Sequence, residues 1–415
     1  MSLNASVILF ANDLADEGFE HVVDTIRDLA SAQAVTMACN YHHSRDVVPH
    51  NPRRKILYMA GGVFFQPDPA RFATLKIAPD VPAFVREEDP LKRLVAVAGQ
   101  RGMMVRGWTN NMHSTVHASR HPDCSVRNAF GDFYITTLCP ANPDVRAYVR
   151  ALNGDLGRYG LQSLLVESAC FMPFDHGYHH ERSMVPLTPV TKFLLSLCFC
   201  AHCQAAGRRA GVAVGALSAF VRDEVEQALN GHASRLDGQS LEFSQMADLA
   251  GGEMAGYLAA RQHTVSTLIE ELAEAVHPVR LDVMEWSGGL RAVGLGMQVS
   301  SGDGSSVSRA WQDGTDIAQV AAAADGLSIL GYVPDPEGLR AELRAYRACL
   351  PAGKSLSVAM RPMFPDCASV EVLQAKLRVL EEEGAAWADF YHYAFMRLSN
   401  LAWVGQARAA AGTRP

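Results

Sequence analysis

Eight short apolar runs rich in β-branched residues recur along this 415-residue chain, and they constrain its fold more than any other feature. They span 6–11, 34–40, 103–108, 163–167, 279–284, 326–331, 355–360 and 388–392, and most are followed at once by polar residues. Runs with no polar alternation read as strands buried on both faces, the condition of a parallel sheet covered by helices. Eight is also the number of strands that closes a barrel whose interior its own side chains can fill.

Helical spacing lies between the runs. In 16–31 the apolar residues Val22, Val23, Ile26 and Leu29 recur on one face. The stretch 143–159 opens on Asn142 and Pro143, a good N-cap and first-turn residue, and continues with Val145, Tyr148, Val149, Leu152 and Leu156. Segments 335–350 and 370–383 behave alike. Strand–helix alternation of this kind implies an α/β architecture. No glycine-rich phosphate loop follows the first run, which disfavours the doubly wound rival and leaves a (β/α)8 TIM barrel. Two connections exceed what a barrel needs, about 41–101 after strand two and 168–278 after strand four. They read as long insertions walling the face where barrel active sites form. The expectation is one domain over 1–407 with a flexible tail at 408–415.

Composition narrows the function class. A formal charge of −7 disfavours a nucleic-acid groove, which needs clustered cations. No apolar run is long enough to cross a bilayer, so no membrane partner is expected. The N-terminal apolar stretch lacks a basic region and is broken by Asn12-Asp13, as a buried strand would be. Nine cysteines, an odd number without an export signal, read as reduced thiols in a cytoplasmic protein. Oligomeric state is not legible.

Residues just past barrel strands converge on one cavity. Here they are Asn40, Tyr41 and His42, then Arg106, Trp108 and Asn110, then Glu167, Glu285 and Trp286, and finally Tyr332, Arg361, His392 and Tyr393. Rings that stack on sugar faces alternate with amides, guanidinium and imidazole groups that bond hydroxyls, which suits a small carbohydrate or polyol. Glu167 closes the run Ser-Leu-Leu-Val, where burial would raise its pKa and fit it for general acid or base work. A buried ion pair with Arg106 is the plainer alternative. Asp13 and Glu285 are the next carboxylates at that level and candidates for the partner that a two-carboxylate glycosidase requires, although Asp13 equally suits a helix cap.

The run 175–181 carries three histidines and two carboxylates, and His179 and His180 fit either a substrate-binding loop or a divalent-metal site. Cys198, Cys200 and Cys203 stand at metal-ligand spacing. A structural zinc ion there needs a fourth ligand, His202 or a distant cysteine; thiols packed beside a helix fit the run as well. No G-x-S-x-G elbow supports a hydrolase serine.

Two of these segments carry a resemblance. Cys139-Pro140-Ala141-Asn142-Pro143, with the helix and the Glu167 strand after it, resembles the uncharacterised glycoside-hydrolase-like barrels. Cys198-Phe199-Cys200-Ala201-His202-Cys203 is similar to the Cys-rich run of those families and of certain barrel β-galactosidases. The resemblance implies a sugar-active barrel with Glu167 at the position of the family acid on strand four. It departs at strand seven, where retaining barrels carry their nucleophile and this chain reads Met360-Arg361-Pro362. Three readings stand at this point: a glycosidase-like hydrolase, a metal-dependent hydrolase, lyase or isomerase using His179 and His180, and a non-catalytic carbohydrate-binding barrel.

Overall fold

The computed structural model describes residues 3–176, 182–288 and 305–411. Eight parallel strands close a barrel in sequence order: β1 (Asn4–Leu9), β2 (Ala34–Ala38), β3 (Met104–Asn110), β4 (Ser163–Glu167), β5 (Arg280–Glu285), β6 (Gly326–Leu330), β7 (Ser355–Met360) and β8 (Trp387–Phe390). Each expected run overlaps one of them, with boundaries that differ by up to two residues at an end. The β1–β8 pairing closes the circle, with Ser6 opposite Asp389 and Val7 opposite Phe390.

Side chains of a strand alternate between two faces, and the contacts fix which face is which. Inside the barrel, Arg106 pairs with Asp389 and its Nε donates to Ser163 Oγ at 2.9 Å. Its guanidinium lies 4.4 Å from the centre of the Trp387 ring, and Asp282 approaches it at 3.8 Å. Ser6 and Thr36 share a hydrogen bond of 2.5 Å in the same interior. Outside, Thr109 Oγ1 donates to Asn153 on the helix Pro143–Leu156 at 2.8 Å. The apolar core lies mainly in this outer shell, between the sheet and its helices.

Helix starts follow the local chemistry. Asn142 accepts from the backbone N–H of Asp144 at 2.8 Å with Pro143 behind it, and Asp335 accepts from Gly338 N at 2.6 Å ahead of Pro336–Cys349. The single helix expected over 16–31 is two, Ala11–Glu17 and Phe19–Ala30, divided at Gly18 whose φ of +94° lets the chain turn. The last helix, Leu398–Ala411, extends into the expected tail, and Arg408 in it is buried; 412–415 lie outside the described residues.

Between β2 and β3 stand two small antiparallel sheets, Asn40–Tyr41 with Gly62–Val63 and Ser44–Val47 with Ile56–Met59. Between β4 and β5 come the helices Pro189–Ser196, Ala201–Arg209, Val214–Leu229 and Glu253–Val276. The connection from β3 to β4 holds a further ribbon, Ser125–Arg127 with Phe133–Leu138, which sequence reading did not foresee. Its signal was Gly131, at φ +93° in the turn. Among the described residues no single helix is long and apolar enough to cross a membrane.

Candidate active site

Alternation along β3 and β4 delivers Arg106, Trp108 and Asn110 from one strand and Ser163, Leu165 and Glu167 from the next to the barrel interior, with Glu167 and Asn110 level at the carboxyl end. Trp108 Nε1 donates to Glu167 Oε2 at 3.0 Å. Burial pushes the Glu167 carboxyl up to about 7, against the opposing pull of the Trp108 N–H. Two donors from Asn111, its backbone N–H and its Nδ2, hold the Glu167 carbonyl, each at 3.0 Å. The next residue, Ser168, sits at φ +54°, a left-handed conformation that a serine adopts only under tertiary constraint.

Rings surround this carboxyl. The Tyr41 ring lies 5.0 Å from those of Phe10 and Trp108, and its hydroxyl is 3.5 Å from that of Tyr391. Burial raises the pKa of Tyr41, Tyr391 and Tyr332, so all three are neutral phenols able to donate. From Tyr41 a line of rings crosses the mouth: His42 at 4.1 Å, His113 at 3.9 Å beyond it, His176 at 4.8 Å and Trp286 at 5.3 Å. Asn40 clamps the backbone of Asn110, its Oδ1 accepting from Asn110 N at 3.0 Å and its Nδ2 donating to Asn110 O at 2.5 Å. The buried Asn110 Oδ1 has no hydrogen-bond partner among the described residues and can accept a further hydrogen bond. Arg361 lies 4.4 Å over Tyr332 and is held in a two-pronged ion pair by Asp366.

Several expected site residues stand elsewhere. Glu285 has the opposite parity on β5. It faces outward, where it accepts from Tyr346 Oη of Pro336–Cys349 and from Ser287 Oγ at 2.5 Å. Asp13 is the N-terminal anchor of Ala11–Glu17, accepting from Phe10 N at 2.8 Å. Burial raises its pKa to about 8. Arg106 sits below the mouth, tied up within the barrel. Tyr393 points away and donates to Glu17 at 3.0 Å. His392 is buried beside Phe10, ring centres 4.0 Å apart, with its Nδ1 accepting from Ala394 N; burial keeps it neutral. His179 and His180 lie outside the described residues. Tyr391, Asp366 and Phe10 were not singled out, while His176 belongs to the histidine run 175–181 named from the sequence. Tyr391 was legible from alternation two residues beyond Asp389.

A second centre lies beside the barrel. Cys139, at the end of the β3–β4 ribbon, meets Cys198, Cys200 and Cys203. All four thiols are buried, and Cys139 Sγ lies 3.8, 3.6 and 3.5 Å from the other three. The fourth member is therefore a distant cysteine and not His202. Four sulfurs at mutual contact without a bond form a cluster that can hold a metal ion. Among the described residues, no cluster of three ligand atoms gathers at the barrel mouth.

No protein-family model matches the sequence, nor does any curated protein. Solved structures do match the fold. An α-L-fucosidase from Paenibacillus thiaminolyticus aligns over 99% of this chain and 49% of its own, at 10% identity and a TM-score of 0.55. A β-galactosidase from the psychrophilic Marinomonas ef1 aligns over 99% of this chain and 60% of its own, at 11% identity and TM-score 0.57. The catalytic domain of a β-amylase from Paenibacillus polymyxa aligns over 100% of this chain and 99% of its own, at 9% identity and TM-score 0.54. The chain thus spans about half of the fucosidase and three-fifths of the β-galactosidase. At such identities the likeness is one of fold, a barrel of the kind glycoside hydrolases use.

Proposed function

We propose that this chain is a glycoside-hydrolase-like enzyme in which Glu167 protonates the leaving oxygen of a small glycoside. One observation carries the reading. Glu167 is a carboxyl at the end of β4, in the barrel mouth, whose pKa stands at about 7. It is thus a group that still holds a proton near neutrality and can release it. The fold likeness to a fucosidase, a β-galactosidase and a β-amylase supports it. Trp108, Tyr41, Tyr391 and Tyr332 would supply faces for the sugar ring, while Asn40, Asn110, His42, Trp286 and Arg361 would shape and orient the pocket.

Neither Glu285 nor Asp13 serves as the second carboxylate, since one faces the helices and the other caps one. Arg361, secured to Asp366 at the end of β7, supports a second reading in which the barrel binds carbohydrate without cleaving it. A panel of aryl glycosides offered to the native protein and to Glu167→Gln separates the two. Turnover by the native protein alone supports the hydrolase; sugar binding by both without turnover moves the reading to the binding protein.

The four cysteines, in this reading, hold a structural zinc ion. A tetrahedron with Zn–S of about 2.3 Å has S···S edges of about 3.8 Å, close to the observed 3.5–3.8 Å. Four thiolates leave no open position, so the ion would serve the fold and not the reaction.

A further inference from the structure

The loop after β2 and the loop after β8 meet twice. At the mouth, Tyr41 and Tyr391 face each other with hydroxyls 3.5 Å apart. Behind them, His50 of the first loop reaches the backbone of the second: its Nε2 lies 2.8 Å from the carbonyl oxygen of Tyr393. A carbonyl only accepts, so Nε2 must carry a proton. The other ring nitrogen, Nδ1, lies 3.4 Å from Glu17 Oε1. Both atoms are buried, and among the described residues neither makes a hydrogen bond, so their contact is a charge pairing across 3.4 Å. A carboxylate oxygen also only accepts. With acceptors at both nitrogens, neither neutral tautomer satisfies the ring.

We infer that His50 is an imidazolium held between Glu17 and the Tyr393 carbonyl, a positioning residue that ties the β2 and β8 loops together and thereby sets Tyr391 against Tyr41 at the mouth. The reading of the mouth as the active site is presupposed by the last step only. The surroundings fit one positive charge. Glu17 also accepts from Tyr393 Oη at 3.0 Å, which fixes the carboxylate. Asp13, on the same helix, is raised to about 8 and is largely protonated near neutrality. Asp16 is engaged by Arg54 Nη2 at 2.7 Å and by Asn51 Nδ2 at 2.9 Å. The Tyr393 ring stands edge-on to the imidazole at 4.6 Å. Burial opposes the charge on His50, but Glu17 and the Tyr393 carbonyl outweigh it, and the pKa is raised. A raised folded pKa means the tie stabilises the fold below the ordinary histidine value and is lost as pH rises through the folded one.

The test is an NMR titration of the His50 ring, assigned with His50→Gln, in the native protein and in Glu17→Gln. The amide variant can donate to Nδ1 and still accept from Tyr393, so it keeps the contacts while removing the need for a charged ring. The native His50 is expected to titrate above about 6.5 and to fall by about one to three units in Glu17→Gln. On a turned-over glycoside, KM should rise along the native His50 titration with kcat less affected, and His50→Gln should remove that pH dependence. A native His50 titrating at or below about 6.5, or a value unmoved by Glu17→Gln, overturns the inference. Should Glu17→Gln not fold, the native titration and the pH dependence of His50→Gln decide it. Absence of all glycoside turnover would count against the proposed function and leave the titration result standing.

Discussion

Two effects of opposite sign set the chemistry of Glu167. Burial favours its neutral acid, while the Trp108 N–H favours the carboxylate. Trp108→Phe removes only the second, so the Glu167 pKa should climb above its value of about 7. A hydrogen bond to a charged group is worth about 1.5–3 kcal/mol when buried, and partial exposure here reduces that to a rise of roughly one unit. The alkaline limb of a pH–rate profile would shift upward to match. Glu285 makes the contrasting case. It is more deeply buried than Glu167, yet its two oxygens are taken by Tyr346 and Ser287 on the outer face. Glu285→Gln should therefore leave turnover within about threefold of native while costing on the order of 1 kcal/mol of stability, measured by urea unfolding. A loss of turnover like that of Glu167→Gln would return Glu285 to the reaction. Sequence alone named both carboxylates because each ends an apolar run. It could not assign parity, since a shift of one residue in the strand boundary reverses every side chain. Asp13 was lost for a different reason: the chain turns helical directly after β1, and a carboxyl at its third position meets the backbone before it can meet a substrate.

At the scale of elements, the strands were legible and the connections were less so. Strands buried on both faces leave continuous apolar runs, and each run here overlaps a barrel strand. Caps were equally plain, Asn142-Pro143 above all. The ribbon Ser125–Arg127 with Phe133–Leu138 was hidden because one strand has only three residues and the first half of the other lies toward solvent. The interior of the barrel also departs from the apolar filling that eight hydrophobic runs suggest. Arg106 of β3 and Asp389 of β8 are both fully buried and form an ion pair, with Asp282 of β5 nearby. Removing one partner of such a pair typically costs about 3–5 kcal/mol because it strands the other charge. Arg106→Met should lose that much in chemical denaturation at neutral pH. Burial already raises the Asp389 pKa. Without Arg106 it rises further, so the deficit should shrink as pH falls and Asp389 takes up a proton. A deficit independent of pH would show that Arg106 acts through packing alone.

The whole molecule joins a barrel mouth to a cysteine cluster through the same two connections. Cys139 comes from the β3–β4 connection, while Cys198, Cys200 and Cys203 come from the segment that follows Glu167. Their assembly brings the two connections together at one buried point beside the barrel. One ion per chain should be found by elemental analysis. Cys139→Ser should abolish it and lower the melting temperature, because metal binding to a site formed only in the native state is folding free energy. Full metal retention in that variant would exclude the four-thiolate site. The Cys-x-Cys-x-x-Cys spacing announced the cluster in sequence. Its fourth member lay 59 residues upstream of Cys198, a separation that only tertiary structure resolves. The central claim is that Glu167 gives its proton to the leaving group. Its most direct test is the leaving-group dependence of glycoside hydrolysis in Glu167→Gln. For a poor leaving group the variant should fall by about 10²–10⁴-fold, and for a strongly activated aryl leaving group, which needs no proton, the bond-cleaving step should stay near native. An equal loss on both substrates, or no loss on either, would contradict the role assigned to Glu167.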